Sequence, residues 1–509
     1  MRALAPEFKP YSWAPSTAQL AGLAGIQPIE VVRYDGNVPP QPLPAARPGA
    51  VAGTLAEINT YPHGGYPELE RAIAAYAGVK PENVVLGAGA DDLILLCARS
   101  FAGPGDEISI SEEPTYPLFR VATHLAGAVV SDDDPVLTFC CRPNNPTGAL
   151  GPLPGTRPLV VDEAYFEYAG ESAAGLLDGG VIVVRTFSKA FGLAGARVGY
   201  ALADAGTAAE LRARQAPAPV STLSAQLALA ALASPPDVAE VVEERERLAK
   251  CLRELGLSPL PSRANFVFVP LDEADAVGDQ LLQQGLVPRV FPDGIRITVR
   301  DAQDDDLIVA ALARILDRPN PVAEAGGRRV RHLRATAETR ISAPLALDGA
   351  GRVHLATGAG LYDHLLEQLA FHGGLDLVLE GTGDSETGPH HTAEDAALAL
   401  GEALNSALGD RRGISRYGDA VVPMDDALAR AAIDLGGRPW CELALERDPG
   451  LAGHMLASLA QAAGLGLHVE ATGRDEHHVA EAAFKAVGRA LRSAVRLEGT
   501  GVPSTKGKL

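Results

Sequence analysis

The stretch "DHLLEQLAFHGGLDLVLEGTGDSETGPHHTAEDAALALGEALNSA", residues 363–407, decides the fold of the C-terminal part of this chain, because the chain repeats it. The second copy, "GHMLASLAQAAGLGLHVEATGRDEHHVAEAAFKAVGRALRSA" at residues 453–494, aligns with the first after one gap of three residues. His364 falls on His454, and His-His-x-x-Glu occurs in both copies. The repeat predicts a duplicated unit of helix, strand, loop and helix, and therefore an α+β domain made of a duplicated half.

Each copy ends in residues that can bind metal ions: His390, His391 and Glu394 in the first, and His477, His478 and Glu481 in the second. Residues three or four apart share one face of a helix, so one histidine of each doublet can bind an ion together with the glutamate. Adjacent histidines do not share a face, so each doublet is better suited to two separate ions. Imidazole and carboxylate ligands suit manganese, iron or zinc, and spacing alone does not choose among them. The alternative, a chance cluster of surface histidines, is disfavoured by the repetition.

Composition limits the classes of function. A chain of 509 residues is longer than one core usually supports, so two or three domains are expected. The net charge of −20 argues against nucleic-acid binding, which needs clustered cations, and leaves small metabolites as partners. Five cysteines without a framework spacing indicate free thiols in a reducing compartment. Without a signal-type or membrane-spanning apolar run, the sequence predicts a cytoplasmic protein that does not enter a membrane.

A linker divides the chain near residue 325. The stretch "LDRPNPVAEAGGRRVR", residues 316–331, combines two prolines, a Gly-Gly and a basic cluster, which is typical of an exposed connection. We therefore predict an N-terminal domain at 1–318, a linker at 319–329 and a C-terminal domain at 330–509. Within the first domain, the predicted large subdomain covers about 45–215, and the small one combines 1–44 with 216–318.

The N-terminal part carries a different set of residues. In "VVRTFSKAFGLAGARVGY", residues 183–200, Lys189 follows an apolar run and precedes a turn that contains glycine. Arg197 comes eight residues after it. A single lysine is usually a solvated surface charge, so this stretch indicates a functional site only in combination with other motifs.

Those other residues lie upstream. Asp162 ends a short apolar run in "LVVDEAYFEY", which also contains Tyr165, and Asn145 belongs to the turn-rich "CRPNNPTG". A Schiff-base lysine, an aspartate for a pyridine nitrogen, an asparagine and a tyrosine for a phenolic oxygen, and an arginine for a phosphate are the groups that bind pyridoxal phosphate. The combination predicts that cofactor.

These motifs resemble the fold-type I aminotransferases that use pyridoxal phosphate, and most closely the histidinol-phosphate aminotransferases, over roughly residues 15–315. The resemblance implies an α/β fold with a large mixed-sheet domain and a small α/β domain. It implies that Lys189 binds the cofactor covalently, that Asp162 keeps its ring nitrogen protonated, and that Arg296 clamps the amino-acid carboxylate. It also implies a dimer, because Tyr61 would reach the neighbouring subunit's cofactor. The implied cofactor-binding residues are Tyr61, Ala90, Asp91, Tyr116, Asn145, Asp162, Tyr165, Ser188, Lys189 and Arg197.

Two features depart from this family. Ala90 stands where the phosphate loop usually has a hydroxyl residue, although its backbone N–H remains. Asp162 follows Gly148 by only 14 positions, and the stretch from 127 to 145 is short as well. We therefore expect secondary elements at the edge of the domain to have been trimmed.

The C-terminal part resembles the imidazoleglycerol-phosphate dehydratases along essentially its whole length, through motifs such as "RATAETRI", "HHTAED", "GDRRGISRYG", "VPMDDALAR", "DLGGRP" and the ending "PSTKGKL". The resemblance implies a catalytic site with two manganese ions, in which Glu338 serves as acid or base. It implies a ligand at His468, on a strand, and assigns His454 a structural role. The implied metal ligands are His364, His390, His391, Glu394, His468, His477, His478 and Glu481, of which the two glutamates are also catalytic. The implied phosphate-binding residues are Arg416, Arg438, Lys485, Ser504 and Lys506.

The chain departs from this family before each doublet. Gly388-Pro389 stand where the family usually has an acidic pair, and Glu476 precedes the second doublet. Neither change removes a ligand. Both concern the conformation of the loop that leads into the helix.

Together the two resemblances imply a bifunctional enzyme of histidine biosynthesis. The C-terminal domain would dehydrate imidazole glycerol phosphate to imidazole acetol phosphate, which the N-terminal domain would transaminate with glutamate to histidinol phosphate. Three alternatives stay open: a trimmed aminotransferase domain that serves assembly or regulation, a different amino acid or a decarboxylation in that domain, and a non-enzymatic metal-storage or scaffold role. The dehydratase resemblance also implies a closed shell of roughly 24 subunits.

Overall fold

The computed structural model of the chain describes residues 8, 14–39, 52–55, 58–62, 64–322, 328–349, 351–383, 388–448 and 450–504. The chain divides into two compact units, Met1–Ala325 and Gly326–Leu509. The division falls in the stretch that combines two prolines with a Gly-Gly. Each unit has its own hydrophobic cores.

The first unit contains the elements that build a large and a small sheet. They are α1 (Thr17–Ala24), β1 (Val32–Tyr34), α2 (Ala52–Leu55), α3 (Pro67–Ala77), β2 (Val84–Gly87), α4 (Ala90–Phe101), β3 (Glu107–Ile110), α5 (Leu118–Ala126), β4 (Val129–Val130), β5 (Pro135–Cys141), β6 (Leu159–Asp162), α6 (Phe166–Ala169), β7 (Val181–Thr186), β8 (Gly199–Leu202), α7 (Ala205–Arg214), α8 (Thr222–Ala233), α9 (Ala239–Glu254), β9 (Phe266–Pro270), α10 (Ala274–Leu282), β10 (Leu286–Phe291), β11 (Gly294–Thr298) and α11 (Ala302–Ile315).

The large sheet has the order β2-β8-β7-β6-β5-β3-β4 among the described residues. Strand β8 runs antiparallel to β2 and β7, and the other neighbours are parallel. Every residue of β6 and β7 is buried, as expected of nearly continuous apolar strands in a sheet covered on both faces. Because Asp162 ends β6 and Lys189 follows β7, both lie at the carboxyl edge of the parallel strands, where open α/β sheets bind their ligands.

Helices cover both faces of this sheet. Helices α4 and α5 pack on one face around Phe119 and Phe139, and α3 and α8 pack on the other around Ile73 and Phe191. The small sheet, in the order β1-β10-β11-β9, packs against α9, α10 and α11. The predicted combination of a large mixed-sheet domain with a small α/β domain is therefore confirmed.

The second unit consists of two halves with the same order of elements. The first half comprises β12 (Arg329–Ala335), β13 (Thr339–Ala346), β14 (Val353–Ala356), α12 (Leu361–Gly373), β15 (Asp376–Gly383) and α13 (His390–Leu408). The second comprises β16 (Tyr417–Met424), β17 (Ala427–Asp434), β18 (Trp440–Leu445), α14 (Ala452–Ala463), β19 (Gly466–Thr472) and α15 (Glu476–Ala494). Their sheets, β12-β13-β15-β14 and β16-β17-β19-β18, have one topology. The predicted duplicated α+β half is confirmed, and it extends to three strands before each quoted repeat.

The helices of the two halves pack across each other within one core. A side chain at Gly488 of α15 would overlap the backbone of α12 at Leu369 and Gly373. The equivalent Gly401 of α13 approaches α14 in the same way, since a Cβ atom there would lie 2.7 Å from the carbonyl oxygen of Leu459. The pairs α12–α15 and α13–α14 are thus two copies of one close crossing.

We expect Gly488→Ala to destabilise the second unit by about 1–3 kcal/mol, because the added methyl group meets backbone atoms that no change of rotamer can move. The higher helix propensity of alanine offsets only about 1 kcal/mol of this. Calorimetric unfolding of the full chain measures the effect. Gly499→Ala is the matched control, since a Cβ atom there has nothing within 4 Å. Equal unfolding temperatures for the two variants would contradict the close crossing.

Candidate active sites

One cavity of about 360 Å³ lies at the carboxyl edge of the large sheet in the first unit. Ten residues implied by the sequence line it, namely Ala90, Asp91, Tyr116, Asn145, Asp162, Tyr165, Ser188, Lys189, Arg197 and Arg296. Tyr61 is not among the lining residues and is 84% exposed. Its role at a neighbouring subunit's cofactor stays a prediction.

Lys189 and Asp162 are both perturbed by their surroundings. The Nζ atom of Lys189 donates to the carbonyl oxygen of Gly36 at 3.2 Å. Burial, helped by the positive charge of Arg296, lowers the pKa of Lys189 to about 8. Burial raises the pKa of Asp162 to about 7, although the backbone N–H of Ala164 donates to its carboxylate at 3.0 Å. A cationic ring nitrogen beside Asp162 would stabilise its charged form, so this carboxylate fits a protonated pyridine.

The N-terminus of α4 forms a cradle for a phosphate group. Gly89 precedes the helix with a φ of 85°, and a side chain there would meet the guanidinium group of Arg197. Arg197 donates to the carboxylate of Asp91 at 3.0 Å, and Tyr116 donates to the same carboxylate at 2.9 Å. The first N–H groups of a helix together with a guanidinium group are the donors that anions bind. The backbone at Ala90 supplies such a donor without a hydroxyl side chain, so the cradle fits the cofactor phosphate.

Hydrogen bonds orient the side chains that would contact the cofactor ring. The Tyr165 hydroxyl lies 2.9 Å from Nδ2 of Asn37. Burial raises the pKa of Tyr165, so its hydroxyl keeps the proton that a ring oxygen can accept. Arg296 donates to Oδ1 of Asn145 and, at 2.7 Å, to the carbonyl oxygen of Asp35. Two residues predicted from separate motifs, Asn145 and Arg296, are thereby in direct contact.

Sequence reasoning missed several polar residues of this cavity, among them Arg33, Asn37 and Arg289. Arg289 pairs with Arg296 across the hairpin of β10 and β11. The stretch "PDG" at the turn from β10 into β11 is a signal that could have found it, because positions equidistant from a hairpin turn lie side by side. Arg33 holds Asp35 through two bonds of 2.8 and 2.6 Å, an arrangement without a short sequence signature.

The pKa of Lys189 leads to a prediction for the cofactor-free protein. We expect the rate at which it binds pyridoxal phosphate covalently to rise with pH and to be half-maximal near pH 8, because only the neutral amine attacks an aldehyde. Stopped-flow absorbance between pH 6 and about 10 measures this rate. A midpoint near 10.5, the value of an ordinary lysine, would show that burial does not perturb Lys189.

In the second unit, two triads each bring three metal-binding side chains together. His364 joins His477 and Glu481 in triad A, and His454 joins His390 and Glu394 in triad B; their ligand atoms lie within 4.8 Å of one another. Nε2 of His364 lies 3.3 Å from Glu481 Oε1, and Nε2 of His454 lies 3.3 Å from Glu394 Oε1. Each triad takes one histidine from one half and a His-x-x-x-Glu pair from the other. Imidazole nitrogens and a carboxylate are donors that divalent transition metals bind, so the triads fit such ions.

His454 and His468 differ from what the sequence predicted. His454 was expected to be structural, yet it lies in triad B. His468 was expected to be a ligand, but its side chain is exposed on β19, between the buried Leu467 and Val469. Successive residues of a strand point to opposite faces, so the neighbours of His468 point into the core where the helices pack, and His468 points away from it. His454, in the first turn of α14, is the true equivalent of His364 in α12.

The second histidine of each doublet points elsewhere. His391 lies 3.5 Å from Glu338, in the turn between β12 and β13, and is not in either triad. The equivalent His478 lies 2.6 Å from Asp426, in the turn between β16 and β17. The other ring nitrogen of His478 faces Asp425 at 3.5 Å. The two histidines of each doublet thus face different neighbours, and their binding of separate ions stays a prediction.

The helix starts differ where the sequence departs from the family. In the second half Asp475 caps α15 by accepting from the N–H groups of His477 and His478, at 2.8 and 3.2 Å. The equivalent position in the first half is Gly388, and Pro389, the residue before α13, provides no side-chain cap. Both doublets nevertheless begin a helix.

The implied phosphate-binding residues are placed as follows. Arg416 holds Asp434 through bonds of 2.7 and 3.1 Å and donates to the carbonyl oxygen of Pro503 at 3.0 Å. Arg438 is exposed, Ser504 is partly buried, and Lys506 lies outside the described residues. Lys485 lies one turn after Glu481 and contacts it at 3.1 Å. Among the implied phosphate-binding residues that the structure describes, Lys485 contacts a triad residue directly, namely Glu481.

No helix in the described ranges is long and apolar enough to cross a membrane.

Comparison with known proteins assigns the two units to different families. The family described as aminotransferase class I and II matches residues 31–132 and 131–315, and the family described as imidazoleglycerol-phosphate dehydratase matches residues 357–491.

Individual proteins give the same division. An imidazoleglycerol-phosphate dehydratase of Methanothermobacter thermautotrophicus is 50% identical over 190 residues, which cover 36% of this chain and 98% of that protein. One of Acidothermus cellulolyticus is 48% identical over 186 residues, or 35% of this chain and 90% of that protein. A crystal structure of histidinol-phosphate aminotransferase from Sinorhizobium meliloti with pyridoxal-5'-phosphate covers 62% of this chain and 98% of its own, at 28% identity and a TM-score of 0.53. The chain therefore belongs to the class I and II aminotransferases through its N-terminal unit and to the imidazoleglycerol-phosphate dehydratases through its C-terminal unit.

Proposed function

We propose that the chain catalyses two consecutive reactions of histidine biosynthesis. The C-terminal unit removes water from imidazole glycerol phosphate to give imidazole acetol phosphate. The N-terminal unit then transfers an amino group from glutamate to this ketone, which gives histidinol phosphate and 2-oxoglutarate. The observation that carries the proposal is the presence, in one chain, of a lined pyridoxal phosphate cavity and two metal triads. In these families the product of the dehydratase is the substrate of the aminotransferase.

For the dehydration we assign triads A and B to two Mn²⁺ ions, with His391 and His478 as further ligands. Bound ions supply Lewis-acid stabilisation of negative charge on the substrate imidazole. The chain's part is to move protons: Glu338, exposed beside His391, would take the carbon-bound proton and deliver it to the departing hydroxide, which leaves as water. The resulting enol becomes the ketone when a proton returns to carbon. Lys485, with Arg416, Arg438, Ser504 and Lys506, would hold the phosphate.

For the amino transfer, bound pyridoxal phosphate supplies an electron sink. Asp162 holds the proton at the ring nitrogen, and Tyr165 and Asn145 hydrogen-bond the ring oxygen. Ser188, Arg197 and the N-terminus of α4 hold the phosphate. Lys189, with its pKa lowered to about 8, moves the proton between the substrate carbon and the cofactor.

Two facing arginines in the cavity of the N-terminal unit suit the two substrates of the amino transfer. Glutamate carries a side-chain and an α-carboxylate, whereas imidazole acetol phosphate carries a phosphate and no carboxylate. Arg296 and Arg289 lie opposite each other in one hairpin, so the cavity offers two guanidinium groups for these anions. We assign the α-carboxylate to Arg296 and the phosphate to Arg289.

We further propose a cytoplasmic homo-oligomer. All five cysteines are free and four are buried, which fits a reducing compartment. The aminotransferase part would dimerise through Tyr61, and the dehydratase part would form a shell of about 24 subunits with sites at subunit contacts. His391 and His478 support such contacts, because each lies outside the triads of its own chain.

The test is a time course followed by mass spectrometry. The full chain is supplied with imidazole glycerol phosphate, Mn²⁺, pyridoxal phosphate and glutamate. Transient ketone followed by histidinol phosphate and 2-oxoglutarate supports both reactions. Accumulation of the ketone alone would contradict the amino transfer and favour a trimmed domain with another role. Unchanged substrate would contradict the dehydration.

A further inference from the structure

The two triads are equivalent in backbone and ligands, yet their surroundings differ in charge. The duplication relates Glu481 of triad A to Glu394 of triad B, at an offset of 87 residues. Four residues after Glu481 comes Lys485, whereas four residues after Glu394 comes Leu398. Within the described ranges, no lysine or arginine forms an ion pair with Glu394. Triad A alone therefore contains a fixed ammonium group.

This ammonium group occupies an oxygen that an ion at triad A needs. Nζ of Lys485 lies 3.1 Å from Oε1 of Glu481, and the same oxygen faces Nε2 of His364 at 3.3 Å. The ammonium is largely enclosed, since the side chain of Lys485 is 15% exposed and that of Glu481 is 8% exposed. The sulfur of Met424 lies 3.3 Å from Nζ on another side.

One further carboxylate lies near triad A, but it does not replace Glu481. Glu367 is 3.7 Å from Nδ1 of His364, on the far side of the imidazole ring from Glu481. Its side chain is 51% exposed, so its charge is screened by solvent. Glu367 can fix the ring so that Nε2 faces the triad, while the contact between Lys485 and Glu481 persists.

We propose that Lys485 makes the two metal sites unequal: a divalent cation fills triad B first, and triad A binds its ion tightly only when an anion draws Lys485 away from Glu481. The inference rests on the proposed function, in which Lys485 holds the substrate phosphate. An ammonium group cannot neutralise Glu481 fully and a phosphate dianion at the same time. Binding of the phosphate monoester at Lys485 therefore frees Oε1 of Glu481 for the ion.

Linkage makes this relation reciprocal. If the phosphate monoester raises the affinity of triad A for the cation, the cation raises the affinity for the phosphate monoester by the same factor. We expect a factor of about 10, within the usual range of coupling between two sites. The second ion would then bind cooperatively with the substrate. The metal site would be fully occupied only when the substrate is bound.

The experiment titrates the full chain with Mn²⁺ and measures free Mn²⁺ by electron paramagnetic resonance, with and without glycerol 3-phosphate as the probe. We expect one tight and one weaker class of site, about 10-fold apart, and tightening of the weaker class alone by the probe. Lys485→Met should make the classes equal and abolish the effect of the probe. Glu394→Gln should remove the tight class and leave the class that responds. Arg489→Met, one turn further along α15, is the matched control and should behave like the unaltered chain.

Other results would count against this inference. Two equal classes in the unaltered chain, or two classes that Lys485→Met leaves unchanged, would overturn it while leaving the proposed metal site intact. Tightening of both classes by glycerol 3-phosphate would overturn it as well, because Lys485 touches only triad A. Absence of Mn²⁺ binding in the unaltered chain would overturn the inference and the proposed dehydratase site together.

Discussion

Lys189→Ala is expected to lower the rate of amino transfer by about 1,000-fold or more and to leave dehydration unchanged. Lys189 is the residue of the cavity that can both bond an aldehyde and carry a proton, and its lowered pKa leaves part of the amine neutral at physiological pH. The same variant should lose the visible absorption of a covalently bound cofactor. Supplied with imidazole glycerol phosphate, it should accumulate the ketone. Mass spectrometry and a visible spectrum of one preparation measure both effects.

The control for this experiment is another lysine of the same unit. Lys80 has a side chain that is 80% exposed and lies before β2, outside the cavity. Lys80→Ala should therefore retain the visible band and both activities. If Lys189→Ala still formed histidinol phosphate at the normal rate, the cavity would not be the site of amino transfer, however well its residues match the family.

His454→Asn is expected to reduce bound Mn²⁺ from two ions to one per chain and to lower the rate of dehydration by about 100-fold or more. The imidazole of His454 faces Glu394 at 3.3 Å, and an asparagine side chain is too short to reach the same position. Amino transfer to added ketone should be unaffected. Electron paramagnetic resonance of the chain at saturating Mn²⁺ and the rate of ketone formation measure the two effects.

His468→Asn is the matched comparison, because the two histidines exchange the roles that the sequence assigned to them. The side chain of His468 is exposed on β19 and belongs to neither triad. We expect this variant to keep both ions and its full rate. The reverse outcome, loss of metal in His468→Asn and retention in His454→Asn, would restore the ligand set expected from the sequence and reject triad B.

Much of both sites was accessible from sequence because the informative residues are close in the chain. Lys189 and Arg197 belong to one stretch, and Asp162 ends a short apolar run that is typical of a buried strand. The repeated doublets likewise predicted that each His-His-x-x-Glu unit lies on a helix, which the structure confirms. Local spacing and strand or helix period are sufficient for such residues.

The remaining features depend on which elements pack together. The pairing of His454 with Glu394 requires α13 to lie on α14 rather than on the helix of its own half, and neither repeat unit encodes that choice in a local pattern. Arg289 lies in the cavity because the register of a hairpin places it beside Arg296. Asn37 lies there through a hydrogen bond to Tyr165, which is 128 positions away in the chain. Long-range contacts of this kind are decided by the whole core, which sequence periodicity does not describe.

The crosswise construction of the triads has an evolutionary consequence. A single half of the unit, with its own α12 and α13 or α14 and α15, contains the parts of two triads but completes neither. Two identical halves related by a twofold axis would complete both at once. The two halves are therefore arranged as expected of a homodimer whose gene was duplicated and fused. Once both copies shared one chain, each could change separately, so that one position could hold a leucine in the first copy and a lysine in the second.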